Sequence, residues 1–452
     1  MVLNQHLVRS LSKTFKKVVK DEPRKLAYEV FSQVIRNGAY SNILLPTKLG
    51  SSGFDSRDKA FCTELVYGAI RQLGRNDFII AKFVSKSWNE IDPEIIDILR
   101  LGAYQLFDMR IPTHAAVDAT VNLARGVIGE SKATFVNAIM RKLSTKELDD
   151  HLSEVQDDSI SSLSVRFSHP EWIINSYRDC IPDIEEIKRL LRANNTPVAP
   201  NLVAWPTKSS QAELVELGAT ANKFSPFGAA FSGSPGDLAV IRERRAGVQD
   251  EGSQLLSEIF AKVARDHEPW LDLCAGPGGK AALLSFLAKN PLYCNELSPP
   301  RAELIKKIVR PDAVITVSDG RKYQTIPNQE VGAILADVPC TGLGALRRRP
   351  EIRWRRTLSD LASLTKLQFE LAAHAINLLP EGGIFAYATC SPHIAEASSQ
   401  CATIERKLPV VKIDVTEFMP NNLTGGVKNG YMQLWPHRHE TDAMFLALYR
   451  KQ

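Results

Sequence analysis

The chain has 452 residues, 44% hydrophobic and 24% charged, with a formal net charge of +5. That length fits two or three domains, and that composition is globular, with no run of about eighteen apolar residues to cross a membrane. Seven cysteines at irregular spacing, with no Cys-x-x-Cys, exclude a disulfide scaffold and a zinc knuckle and fit a reducing cytoplasm.

Residues 1–22 form a basic tail, with Arg9, Lys13, Lys16, Lys17 and Lys20. It lacks the apolar core and cleavage site of a secretory signal. A transit peptide, an arm for RNA phosphate and a short surface helix would all share its pattern. Residues 23–146 read as all helix. Ala27, Val30, Phe31, Val34 and Ile35 make one apolar stripe. Asp92-Pro93-Glu94 is a helix start, followed by Ile95, Ile98, Leu99 and Leu101. Ala116, Val117, Val121 and Ala124 give another stripe, and Phe135, Ala138, Ile139 and Leu143 the last. Such spacing predicts a helical core and by itself no function. Residues 147–163, acidic and serine-rich, read as a linker. Residues 164–246 mix a helix (Ile184–Arg192) with extended segments such as Pro197–Pro206, which predicts a small α+β domain.

From 247 to 452 strands and helices alternate, which predicts a doubly wound, Rossmann-like α/β domain. Strands are expected at 270–274, 292–296, 313–317, 332–336, 385–389 and 444–449, with helices at 280–287 and 300–309. The loop Cys274, Ala275, Gly276, Pro277, Gly278, Gly279, Lys280 after the first strand lets backbone approach a ligand, and the helix start beyond it favours negative charge. Glu296 ends the second strand, where an acid accepts from both hydroxyls of a ribose. Asp319 follows the third, where an acid accepts from an adenine amino group. Each acid alone would pass for a helix cap. Together with the loop they mark a nucleotide-like cofactor.

Two cysteines follow the next two strands: Cys340 in Asp337-Val-Pro-Cys340 and Cys390 in Tyr387-Ala-Thr-Cys390. Ligands of open α/β sheets sit outside the carboxyl ends of the strands, so both thiols face one crevice. A buried free Cys is ordinarily a small hydrophobe. Two at neighbouring strand ends, one beside a carboxyl group, point to covalent chemistry. A thiolate attacking carbon 6 of a pyrimidine needs a group that holds N3 as charge develops, and Asp337 suits that task. The attack makes carbon 5 a nucleophile for the methyl group of a sulfonium donor. Beyond this turn, Arg347, Arg348, Arg349, Arg353, Arg355 and Arg356 surround Trp354, which predicts a phosphate clamp with a stacking surface for RNA.

The stretch from Val248 onward resembles the RNA (cytosine-5) methyltransferases of the Sun/Fmu, RsmB type. The matching pieces are Gln249-Asp-Glu-Gly-Ser-Gln254, the Cys274–Lys280 loop, Asp337-Val-Pro-Cys340, Arg349-Pro-Glu-Ile-Arg-Trp354 and Tyr387-Ala-Thr-Cys390. Arg166-Phe-Ser-His-Pro-Glu-Trp172 resembles the segment that opens the family's catalytic part. Residues 23–146 resemble the NusB-like RNA-binding helical domain of some members, through Asp58–Gly68 and Phe135–Arg141. The resemblance implies an all-α NusB-like domain, a small α+β domain and a Rossmann-like methyltransferase domain. It implies S-adenosylmethionine as donor, held by residues 274–280, Glu296, Asp319 and Asp337, and 16S ribosomal RNA as substrate. It assigns Cys390 as nucleophile and Cys340 to product release. A cytoplasmic monomer with no membrane or metal partner is expected. One departure is Thr441-Asp-Ala-Met-Phe445, where the family shows Asp-Gly-Phe-Phe. Other readings remain. A cytosine-5 enzyme acting on tRNA would use the same residues. A DNA cytosine methyltransferase would show Pro-Cys-Gln and Glu-Asn-Val, both absent here. Amino-group methylation would place an aromatic where Cys340 stands. A NusB-like ribosome-assembly factor would have no need of the cysteine pair.

Overall fold

The computed structural model describes residues 21–325 and 330–452; the basic tail, up to residue 20, lies outside them. The chain divides into two compact units, Met1–Glu154 and Val155–Gln452.

The first unit is helical, as its apolar stripes predict. Helices span Glu22–Asn37, Ser41–Gly50, Ser56–Arg71, Leu73–Ala81, Pro93–Phe107, Thr113–Ile128 and Glu130–Leu143. Asp92 accepts the Glu94 N–H at 3.0 Å and Pro93 opens the helix, the start its sequence announces. The stripe residues Val30, Phe31, Val34, Ile98, Leu99 and Val136 are buried. Part of the expected linker belongs to this unit. Leu148–His151 is a helical turn, and the buried His151 packs edge-on to Phe83 and Phe107 while its Nε2 lies 2.9 Å from the Leu143 carbonyl. Serine and acid content set the reading of 147–163, and one histidine on apolar rings reverses it locally.

The second unit holds thirteen strands among the described residues. A four-stranded antiparallel sheet runs β2 (Thr220–Ala221), β3 (Gly228–Ala230), β1 (Asn201–Ala204), β4 (Ala246–Val248). The large sheet contains β5 (Trp270–Asp272), β6 (Tyr293–Glu296), β7 (Val314–Val317), β8 (Ala333–Asp337), β9 (Ile384–Thr389), β10 (Val410–Ile413), β11 (Val427–Lys428), β12 (Tyr431–Gln433) and β13 (Phe445–Lys451). Its order is β11-β12-β13-β9-β8-β5-β6-β7, with β10 also paired to β13. Strands β5 to β9 pair in parallel, and the rest are antiparallel. Both faces are covered: Ala333 and Leu335 enter one core, Ile334 and Ala336 the other. The chain leaves β5 toward β6 and later returns to its other side as β8, so the switch point lies between β5 and β8.

Residues 164–246, expected as a separate domain, share cores with the α/β part. Ile173, Tyr177 and Leu190 pack with Leu343 and Trp435. Val203 and Trp205 pack with Ala282 and Leu283 of the helix after the glycine loop. The apolar residues of the short segment are too few to close a core alone, and the sheet supplies the remainder.

In the helical unit, Gly68 lies under the ring of Tyr104, and a Cβ there would overlap the ring. Tyr104 Oη donates to Glu64. Gly68→Ala should lower the stability of this unit by about 1–3 kcal/mol, the cost of overpacking. Hydrogen exchange of residues 56–107 measures it, and unchanged protection would mean that the ring moves aside freely.

Candidate active site

The loop after β5 is anchored by its backbone: Ala275 N–H donates to Asn295 O at 2.9 Å. Gly278 has φ +113°, a conformation that favours glycine. Glu296, at the end of β6, is buried. Its Oε2 accepts the Gly276 N–H at 3.0 Å and its Oε1 the Ser298 N–H at 2.9 Å. A Cβ at Gly276 would collide with this carboxylate, so glycine is required there by close approach. Arg301 stands 3.5 Å from Glu296 and also donates to the Gly276 carbonyl. Asp319, two residues past β7, is gripped by Arg321, with Nε 3.0 Å from Oδ1. These bonds hold the Asp319 carboxyl at about 2, below the usual range; the Arg321 side chain contributes most, then its N–H.

Asp272, the last residue of β5, was not singled out in the sequence, although its place before the glycine loop was the available signal. It is 1% exposed and its Oδ1 has no hydrogen-bond partner. Burial, reinforced by the charge of Asp337, pushes its carboxyl up to about 7.

Lys280, expected within the cofactor loop, turns across the switch point and donates to Asp337 Oδ2 at 2.7 Å. Burial pushes the Lys280 ammonium down, but the carboxylates around it outweigh this and its pKa is raised. Asp337 is therefore held as an acceptor. Beyond it, the sulfurs of Cys340 and Cys390 stand 3.4 Å apart, both half-buried. The hydrogen bond from the Cys340 thiol pulls the Cys390 pKa down. Burial and Asp337 oppose this, and Lys280 and Arg349 assist it. The same bond, with burial, pushes Cys340 well up. Of the two thiols, Cys390 is thus the easier to ionise.

The sequence-predicted residues 274–280, Glu296, Asp337, Cys340 and Cys390 come together at the carboxyl ends of β5, β6, β8 and β9, around the β5/β8 switch point. The arginine run is not one exposed strip: two of its six guanidinium groups are buried. Arg353 is 0% exposed, and its Nη1 donates to Ser168 O at 3.0 Å and Asn195 Oδ1 at 2.7 Å. Arg347 is buried and donates to Glu440 O at 2.8 Å. Arg348 pairs with the buried Asp442, its Nε at 3.1 Å. Arg347 and Arg353 are buried, Arg348 is half-exposed but ion-paired, and all three are committed to partners that no local reading of the run could supply. Arg349, Arg355 and Arg356 are half-buried. Ala443, where the resemblance leads to glycine, is also closer to the chemistry than its distance in sequence suggests. Its N–H donates to Gly344 O at 3.0 Å, and Gly344 N–H donates to Cys390 O at 2.9 Å.

A buried network around Glu396, Thr341 and Gln368 was missed as well. Thr341 N–H donates to Glu396 Oε1 at 2.8 Å, and Gln368 Nε2 donates to Glu396 Oε1 at 3.0 Å and Pro339 O at 2.9 Å. The available signal was one acid in the otherwise apolar run Ile394-Ala-Glu-Ala397. Among the described residues no cluster of His, Cys, Asp and Glu could hold a metal ion, and no helix is long and apolar enough to cross a membrane.

A Rossmann-like sheet with a glycine loop, strand-end acids and a reactive group at its switch point defines an α/β methyltransferase. Residues 260–450 match the family model described as 16S rRNA methyltransferase RsmB/F, and residues 21–145 match the NusB family. Rv1407 of Mycobacterium tuberculosis, which carries a methyltransferase name, is 40% identical over 448 residues, 95% of this chain and 97% of that one. The ribosomal RNA small subunit methyltransferase B of Vibrio vulnificus is 28% identical over 442 residues, 95% of this chain and 99% of that one. Among solved structures, PH0851 has the same fold, with a TM-score of 0.76 at 21% identity over 96% of this chain and 100% of that one. The chain belongs to the RsmB/F family of RNA methyltransferases, with a NusB-like helical domain at its N-terminal end.

Two outcomes follow from this geometry. Arg353→Ala strands buried acceptors and should destabilise the protein by about 2–4 kcal/mol, measured by urea unfolding of the full chain; a change below about 0.5 kcal/mol would show that water replaces the guanidinium. Asp272 keeps its proton in the folded protein up to about pH 7, whereas in the unfolded chain it ionises near about 3.9. Folding therefore takes up a proton in that window, and this contribution to stability falls as pH rises from about 4 to about 7. Asp272→Asn should remove that slope from a titration of Tm against pH, and parallel curves would mean that Asp272 is ionised throughout.

Proposed function

We propose that the protein transfers a methyl group from S-adenosylmethionine to carbon 5 of a cytosine in 16S ribosomal RNA, with Cys390 as nucleophile. The observation that carries this reading is the pair of sulfurs at Cys340 and Cys390, 3.4 Å apart, next to the Lys280–Asp337 bond, with Cys390 the more readily ionised of the two. The choice of 16S RNA rests on the names of the family model and of relatives such as the Vibrio vulnificus enzyme.

The donor site fits S-adenosylmethionine. Each oxygen of Glu296 accepts one backbone N–H and keeps a lone pair for a ribose hydroxyl. Gly276, Gly278 and Gly279 remove three side chains from the loop, and the Cβ of a residue at 279 would meet nothing nearer than Gln249 at 3.9 Å. Asp272 has a buried oxygen without a partner at the base of the loop. Both oxygens of Asp319 are taken by Arg321, each accepting two bonds, so Asp319 receives an adenine amino group only when Arg321 releases part of its grip. When bound, the donor supplies an electrophilic methyl group to carbon 5.

The side chains then account for the rest. The Cys390 thiolate forms a bond to carbon 6 of the base, and the electron pair displaced toward N3 is met by a proton from the Lys280–Asp337 pair. Once carbon 5 is methylated, its proton leaves to water. The carbon–sulfur bond breaks, its electron pair returns to Cys390, and N3 returns its proton to Asp337 and Lys280. A hydrogen bond from the Cys340 thiol, whose sulfur lies 3.4 Å from that of Cys390, stabilises the departing thiolate. The NusB-like unit serves as the RNA-docking module. A NusB-like assembly factor without catalysis would not need this pair.

The cysteines should fail differently. Cys390→Ala should form no adduct and methylate nothing. Cys340→Ala should attack and methylate but release slowly, accumulating a protein–RNA adduct that survives denaturing gels and disappears on RNase digestion. The assay uses full-length protein, S-adenosylmethionine and a 16S transcript. An adduct from Cys390→Ala and none from Cys340→Ala would transfer the nucleophile to Cys340.

A further inference from the structure

Glu396 is 0% exposed and closes the short turn Ile394–Glu396, six residues past Cys390. Its carboxylate is met by neutral donors: the Thr341 N–H, the Thr341 hydroxyl and Gln368 Nε2. The direction of the bonds around it is determined. Because the Thr341 hydroxyl gives its proton to Glu396, its oxygen can only accept from Ser391 Oγ, 3.0 Å away. Ser391 Oγ in turn accepts the His393 N–H at 3.3 Å. A chain of donors therefore runs from His393 through Ser391 and Thr341 to one carboxylate. Thr341 adjoins Cys340 and Ser391 adjoins Cys390, so the two cysteine loops are joined by one hydroxyl–hydroxyl bond whose polarity Glu396 sets. Gln368 holds the other flank of Cys340 through the Pro339 carbonyl, and Tyr387 Oη lies 2.8 Å from the Glu396 carbonyl.

We propose that Glu396 is the positioning residue that seats the Cys340 thiol against Cys390, acting through Thr341 and Ser391. This rests on the reading of these cysteines as the reacting pair. Charge-assisted bonds to a buried carboxylate are strong and short, and a sulfur–sulfur hydrogen bond is weak and depends on placement. Without the Thr341–Ser391 link the loops would stay joined by the Gly344 N–H to the Cys390 carbonyl, but would lose the side-chain bond next to the two sulfurs.

The test needs no RNA. The rate at which iodoacetamide alkylates Cys390 in the full-length protein, resolved by peptide mass spectrometry across pH, reports how well Cys340 supports the thiolate. Cys390 faces Cys340, Asp337, Lys280, Arg349 and Arg348, and none of these residues is itself altered in Glu396→Gln, Thr341→Val or Thr341→Ser. The midpoint should move up by about one pH unit in Glu396→Gln and Thr341→Val and return to the wild-type value in Thr341→Ser. An unmoved midpoint in Thr341→Val overturns the proposal, and so does an equal shift in Thr341→Ser, which would exclude the hydroxyl as the link. Should Glu396→Gln not fold, the two Thr341 variants decide alone. A Cys340→Ala adduct together with unmoved midpoints would leave the cysteine chemistry standing and remove only Glu396 from it. Shifted midpoints without any adduct would do the reverse.

Discussion

The register between β8 and β9 is the constraint on which the site depends. Asp337 pairs with Ala388 in a parallel ladder, and the Val338 N–H extends that ladder to the Ala388 carbonyl at 3.0 Å. Both strands then end together, so residues three beyond Asp337 and two beyond Ala388 emerge over the same crevice. A slip of one residue would send one strand's side chains to the opposite face and separate the thiols. That register is secured by burial on both sides. Leu335 and Ala386 lie in one core, and Ile334 and Phe385 in the other. The chemistry of two sulfurs is thus specified by apolar residues several positions upstream of either.

Electrostatics at the switch point follow a simple rule. Four acids meet there, and three have a cation: Asp337 has Lys280, Glu296 has Arg301 and Asp319 has Arg321. Asp272 has none of its own and retains a proton up to about 7. The pairing keeps three carboxylates as acceptors while limiting the negative field that would otherwise raise the pKa of Cys390. Lys280 links donor side and reacting side, because it lies in the first turn of the helix after the glycine loop and its side chain ends on the carboxylate beside the thiols.

Much of this was legible from the sequence, for definable reasons. Strands β5 to β9 and β13 are apolar runs bounded by glycine, proline or an acid, and parallel strands buried on both faces must be such runs. Strand ends in a doubly wound sheet have one functional edge, so Glu296, Asp337, Cys340 and Cys390 could be placed without coordinates. What was not legible depends on pairing across long stretches of chain. β10, β11 and β12 are only two to four residues long, and exist because β13 offers partners to β10 and β12, and β12 in turn to β11. The segment 164–246 has its own helices and strands, but its core is completed by Leu343, Trp435, Ala282 and Leu283. Glu396 resembles any other acid in a loop until Thr341 and Gln368 fold over it.

The arginine run shows the limit of charge as evidence. Six arginines in ten residues are read as a surface because burying a guanidinium is costly. Here the cost is offset by acceptors that converge from remote parts of the chain: Asp250 and Asp442 near Arg347 and Arg348, and Ser168 and Asn195 around Arg353. Buried ion pairs of this kind add little net stability compared with an apolar core, but they define geometry. Asp442 receives Arg348 and donates its own N–H to Asp250, which caps the helix Glu251–Val263. The next residue, Ala443, bonds to Gly344, whose N–H reaches the Cys390 carbonyl. The run therefore connects three remote segments to the back of the nucleophile's loop, while Glu396 holds its front through Ser391. Cys390 is fixed from both sides by polar groups whose partners are far away in sequence, which is how a loop carrying a thiolate can be rigid without being filled by apolar side chains.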